Sequence, residues 1–81
     1  MKYTDSRGGQ HLIADMKTVK LVPAYKTTKK KRKNLETLKQ ADGSFNNPAH
    51  TSRYAQLVKV ESALKRQLIH RNPYNLEEIL K

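Results

Sequence analysis

From Met16 through Leu35 the chain carries no acidic residue, and six positive side chains, Lys26, Lys29, Lys30, Lys31, Arg32 and Lys33, fall within eight positions. A run of that density resists any fold that packs it against itself, because like charges repel unless an anion stands between them. The rest of the chain does not offset it. Its 81 residues hold 17 Lys and Arg against 7 Asp and Glu, a formal net charge of +10. Leu, Ile, Val and Phe together number 17, close to the level at which strongly charged chains stop folding alone. These quantities predict one small domain at most, marginally stable, partly ordered in isolation and in need of an anionic partner.

The N-terminal half reads as an extended basic arm over residues 1–34. Asp5-Ser6-Arg7-Gly8-Gly9 forms a turn or flexible stretch, since paired glycines add backbone freedom. Between His11 and Tyr25, Val19 and Leu21 alternate with Thr18 and Lys20, which is the period of one short strand. Pro23 ends that strand or marks an edge, because proline has no N–H for a central ladder. Beyond the basic run, Asn34 is a candidate cap for a short helix over 35–40 with Leu35 and Leu38 on one face. Asp42-Gly43 and Asn46-Asn47-Pro48 then put 41–50 into a loop.

Residues 35–81 read as a small helical domain whose main element spans 52–70. Thr51 or Ser52 caps its start, Lys65, Arg66, His70 and Arg71 favour its C-terminal dipole, and Asn72-Pro73 stops it. Tyr54, Leu57, Val58, Val60, Leu64, Leu68 and Ile69 cover about half of the circumference. Tyr54, Leu57, Leu64 and Leu68, with Glu61 among them, make the candidate protein interface. Glu61 either forms a wet ridge with Lys65 one turn on, or an ion pair with an arginine across an interface. Lys59, Arg66 and His70 share the opposite side. After the break, Asn75 is a cap, Glu78 a capping-box partner, and Tyr74 with Ile79 a hydrophobic staple for a terminal helix of about six residues. Its Leu76, Ile79 and Leu80 are expected to dock on the long helix. The predicted fold is therefore mainly α: one long amphipathic helix, a short C-terminal helix, and an extended basic N-terminal half with at most a small β element.

Catalytic constellations are absent from the pattern. His11, His50 and His70 fall in three different elements, no Ser, His and acid grouping is suggested, and Gly8-Gly9 is too little for a phosphate loop. With no cysteine and no i, i+4 pair of His or acidic residues on the long helix, the sequence predicts no metal, cofactor or small-molecule substrate. No stretch approaches the roughly 20 apolar residues that span a bilayer, and the N-terminus is charged where a signal peptide has an apolar run. Clustered lysines attract an anionic membrane surface, but position 2 is not glycine and no cysteine is present to carry a lipid, so no second anchor is predicted. The expected location is intracellular (cytoplasm, nucleus or nucleoid) or a virion.

Lys29-Lys30-Lys31-Arg32-Lys33 resembles a monopartite nuclear import signal. Similar runs in ribosomal, histone-like and packaged viral proteins neutralise phosphate, and the large charge excess favours that use. The candidate phosphate contacts are Lys26, Lys29, Lys30, Lys31, Arg32 and Lys33, with a second stripe of Lys59, Arg66 and Arg71. Tyr3, Tyr25, Phe45, Tyr54 and Tyr74 are scattered rather than set as a stacking platform, so binding is expected to ignore sequence. The expected function is that of a small basic non-enzymatic accessory subunit of a nucleoprotein assembly, a ribosome-like particle or virion interior, in contact with RNA or DNA backbone and with protein subunits. The alternative is a protein-binding module, a minor capsid protein or an inhibitor, whose basic surface covers an acidic partner.

Overall fold

Asn47 and Pro48 open the longest element together. The Asn47 side chain accepts the Ala49 N–H at 3.0 Å, and proline occupies the first helical turn, where a missing N–H leaves nothing unmade. In the computed structural model, which describes residues 2–4 and 7–81, helix α2 runs from this cap over Pro48–Arg71. It begins about one turn before the expected start, because the Asn-Pro pair that reads as a turn is also a helix opening. Asn72 ends it in the left-handed conformation, φ 49° and ψ 57°, donating its N–H to the Leu68 carbonyl at 2.9 Å just ahead of Pro73.

The main departure from the sequence reading is helix α1, Thr18–Glu36, which takes in both the expected strand and the basic run. Residues 18–34 are therefore helical rather than extended. Intrinsic propensity does not explain this. The first turn holds no acid, Pro23 lies inside the helix, and Lys26/Lys30 and Lys29/Lys33 are like-charged i, i+4 pairs. Tertiary packing decides it. Leu21, Tyr25, Thr28 and Leu35, with half-buried Arg32 between the last two, recur at spacings of four and three and form one inward stripe. Exposed Pro23 stands on the opposite side, where water can satisfy the carbonyl it cannot bond.

No separate helix begins at Asn34. Thr37, Leu38 and Lys39 donate their N–H groups back three residues to Asn34, Glu36's neighbour Leu35, and Glu36 itself, which tightens the end of α1. Residues 37–47 connect α1 to α2, with Gly43 at φ 85° and Asp42 accepting both the N–H and the hydroxyl of Ser44. The two helices run antiparallel: Thr18 faces Arg71, Arg32 faces Glu61, and Glu36 faces Tyr54.

Strands β1 (Lys2–Thr4) and β2 (Gln10–Leu12) pair antiparallel with Tyr3 opposite His11, and a 3₁₀ turn over Ile13–Asp15 leads into α1. Of the N-terminal turn read at residues 5–9, Arg7, Gly8 and Gly9 are described, with Gly8 at φ 83°; Asp5 and Ser6 lie outside the described residues. Helix α3, Leu76–Leu80, follows α2. Its expected local signals do not form: Asn75 makes no side-chain cap, and Tyr74 is fully exposed while Ile79 is buried. Docking replaces the staple, since Ile79 enters the common core and Leu76 and Leu80 pack on it.

That core gathers at one end of the hairpin. Ile13, Met16, Leu21, Ala24, Tyr25, Leu64, Leu68 and Ile79 form one cluster, and Leu21, Leu64 and Leu68 are completely buried. The molecule is a slab of 39 × 27 × 17 Å, mainly helical, with the small β-hairpin at its edge.

Candidate nucleic-acid interface

Helical geometry sorts the six cations of the basic run by direction. With Leu21, Tyr25, Thr28 and Leu35 fixed against α2, Lys26, Lys30, Lys31 and Lys33 fall on the outer arc of α1, and all four are exposed. The other two have internal partners. Lys29 is half-buried and donates to the backbone oxygens of Lys81 at 2.7 Å and Leu80 at 3.4 Å. Its ammonium also lies 5.9 Å from the Tyr25 ring centroid. Arg32 turns towards α2. Its guanidinium donates through Nε and Nη2 to the two oxygens of Glu61, and through Nη1 to Glu36 at 2.6 Å.

This arginine is the centre of a polar network that closes the end of the hairpin remote from the apolar core. Glu36 accepts the Tyr54 hydroxyl at 2.7 Å as well as the arginine, and the Tyr54 ring lies under Lys39 Nζ at 4.2 Å and beside Phe45. The Tyr54 hydrogen bond holds the Glu36 carboxyl below its ordinary range, with Arg32 adding to it. The Glu61 hydrogen bonds hold the Arg32 guanidinium above its ordinary value. Glu61 therefore pairs neither with Lys65 in a wet ridge nor with a partner's arginine; the arginine comes from the same chain, 29 positions earlier.

The second expected stripe lies elsewhere. Lys59 and Arg66 are exposed on the side of α2 turned away from α1, about 200° round the helix from Leu57 and Leu64 at 100° per residue. They share no surface with the α1 lysines. Arg71 ties the hairpin shut, donating to the Ala14 carbonyl at 3.0 Å and to the Thr18 hydroxyl at 3.4 Å. Among the residues expected to dock on another protein, Leu64 and Leu68 are covered by this chain's own core, and Tyr54, Leu57 and Glu61 are half-buried along α2.

Two grooves flank α1. One, of about 500 Å³, runs between α1 and the N-terminal segment and is lined by residues including Tyr3, Met16, Lys17, Lys20, Ala24 and Lys31. The other, of about 510 Å³, lies between α1 and α3 and is lined by Lys26, Lys29, Lys30, Lys33, Asn34, Glu78, Ile79 and Lys81. Sequence reasoning did not place Glu78, Ile79 and Lys81 beside the basic run. The spacing 26, 29, 30, 33 is itself one face of two helical turns, and reads as such once the run is known to be helical. Among the described residues, no group of three His, Asp or Glu side chains converges as a metal site, and no helix is long and apolar enough to cross a membrane. Comparison of the chain with protein-family models, with curated proteins and with solved structures finds no match.

Proposed function

We propose that the protein is a small non-enzymatic accessory subunit of a nucleoprotein assembly, and that α1 meets nucleic-acid phosphate without reading sequence. One observation carries this reading: Lys26, Lys30, Lys31 and Lys33 stand exposed on the outer arc of one helix, with no acid on α1 before Glu36. Phosphate contacts by lysine supply affinity that does not depend on the base. The internal engagement of Arg32 and Lys29 supports it further, because the hairpin and α3 hold the remaining lysines on a fixed surface. Reading bases needs side chains that reach groove edges or stack. The rings of Tyr25, Tyr54 and Tyr74 form no row along the α1 lysines: Tyr25 is buried, Tyr54 bonds Glu36 and packs beside Phe45, and Tyr74 stands exposed beyond α2.

Fluorescence anisotropy with unrelated duplex and single-stranded sequences tests the reading. The parent should bind all of them at about 50 mM salt with affinities within a factor of a few, and the Lys26→Ala/Lys30→Ala/Lys33→Ala variant should lose affinity for every one alike. Strong preference for one sequence, or no binding to any, would contradict it. Tight binding of an acidic protein in place of nucleic acid would assign the lysines to the alternative class of partner.

A further inference from the structure

We propose that the groove between α1 and α3 is a seat for a short run of linked phosphates, whatever carries them. The inference rests on the reading that the α1 lysines meet phosphate, and it names where they do so. Lys26, Lys29, Lys30 and Lys33 lie at i, i+3, i+4 and i+7, so their side chains emerge on one face over two turns. Helical rise spreads that face over about 10 Å along the axis. Lys81 adds a fifth cation from the other wall, Asn34 adds an amide, and Glu78 is the one acidic side chain lining the space.

Five ammonium groups around one concavity repel one another. An anion between them relieves several repulsions at once, whereas a phosphate on a convex surface meets fewer. A single phosphate is shorter than the row of lysines, but two or three linked phosphates match its length. The buried edge of Ile79 and the wall of α3 make the seat a cleft rather than a strip, which separates it from the lysines of the opposite flank, Lys20 and Lys31. Lys29 joins the seat to the fold: it donates to the backbone oxygens of Leu80 and Lys81, so it fixes the α3 wall.

Two charge-matched variants of the full chain test this. Lys26→Ala/Lys33→Ala removes two groove cations and Lys20→Ala/Lys31→Ala removes two from the other flank, so both lose the same net charge. All four side chains are exposed, and circular dichroism should show helix content no lower than the parent's in each. Calorimetric titration with inorganic tripolyphosphate at about 50 mM salt should then show a loss of about tenfold for the groove pair, as expected for two direct charge contacts. The flank pair should lose less than about threefold, because those charges act through screening solvent. Glu78→Gln should tighten binding. Equal losses for the two pairs, or no tripolyphosphate binding by the parent, would overturn the inference.

A parallel titration with a short oligothymidylate separates the two claims and the two sources of phosphate. If the parent binds oligothymidylate but both pairs lose equally on either probe, the groove is refuted while the proposed function stands. If tripolyphosphate reads the groove and the oligonucleotide does not bind, the seat stands for free polyphosphate and the proposed function falls. A matching groove-specific loss on both probes supports both.

Discussion

Arg32 has five N–H donors in a fixed fork, and three of them are engaged by Glu61 and Glu36 across the helix pair. In sequence it is the one arginine among four lysines, and no apolar pattern around it marks it as the inward residue. Its role follows from position alone, because it falls on the inward stripe between Thr28 and Leu35. With side chains only 20% and 14% exposed, Arg32 and Glu61 have given up most of their hydration, and removing one leaves the other stranded. Arg32→Ala and Glu61→Ala are each expected to destabilise by about 2 kcal/mol. The double variant should fall well short of their sum, with a coupling of about 1 kcal/mol in a urea-unfolding cycle.

The same network fixes a pH dependence. Glu36 titrates below its ordinary value in the folded chain, chiefly because Tyr54 donates to it. A depressed carboxyl contributes stability above its unfolded value of about 4.3 and loses that contribution as pH falls through the folded value. Tyr54→Phe should move the Glu36 titration upward, measured by carboxyl chemical shifts against pH. At the alkaline side, burial raises the Tyr25 phenol above its ordinary value, with the Glu61 charge adding to it. Stability should therefore decline once pH rises beyond about 10, where the unfolded phenol ionises first.

At the scale of elements, α2 was legible and α1 was not. Apolar spacing, a C-terminal cluster of basic residues and Asn72-Pro73 mark α2 without ambiguity, and only its first turn was hidden behind a turn-like Asn-Pro. For α1 the inward positions are Leu21, Tyr25, Thr28, Arg32 and Leu35, two of them polar and one a tyrosine, so an apolar count shows no stripe. Local alternation of Val19 and Leu21 and the presence of Pro23 pointed to a strand end, and tertiary packing on α2 overrode both. The terminal helix is read from a cap at Asn75 and a staple of Tyr74 with Ile79, and neither forms; Ile79 docks instead on a cluster distant in sequence, which no local signal shows.

A helix formed against its propensities should respond to single changes. Pro23→Ala restores an N–H opposite the Val19 carbonyl on the exposed side of α1, and is expected to stabilise by about 1 kcal/mol, the helical gain being partly offset by a freer unfolded chain. A lower midpoint in thermal unfolding would show that the proline shapes a bend the packing requires. Leu64→Ala opens a cavity at a fully buried position and should cost about 3 kcal/mol. A core of this size supplies roughly 3 to 5 kcal/mol in total, so that variant should lose most of its helical signal at 25 °C.

The whole molecule joins a small apolar cluster to a large unbalanced charge. Ten net positive charges on a slab 17 Å thick oppose compaction, and α1 carries the densest part of them. Helix content at low salt is expected to rise on adding polyphosphate or RNA, read by circular dichroism, because an anion along α1 removes the i, i+4 repulsions of Lys26/Lys30 and Lys29/Lys33. No change in helix content on neutralisation would mean that packing alone suffices.

The dependence of binding on salt measures how many lysines meet phosphate. Six contacts, as the run alone suggests, give a slope of log affinity against log salt of about −5 on a duplex; four, with Arg32 and Lys29 held inside the fold, give about −3.5. The account predicts the smaller slope for the parent. It also predicts flattening by about 2 to 3 in Lys26→Ala/Lys30→Ala/Lys33→Ala and almost none in Arg32→Ala. A parental slope near zero, or a triple variant whose slope equals the parent's, would contradict it.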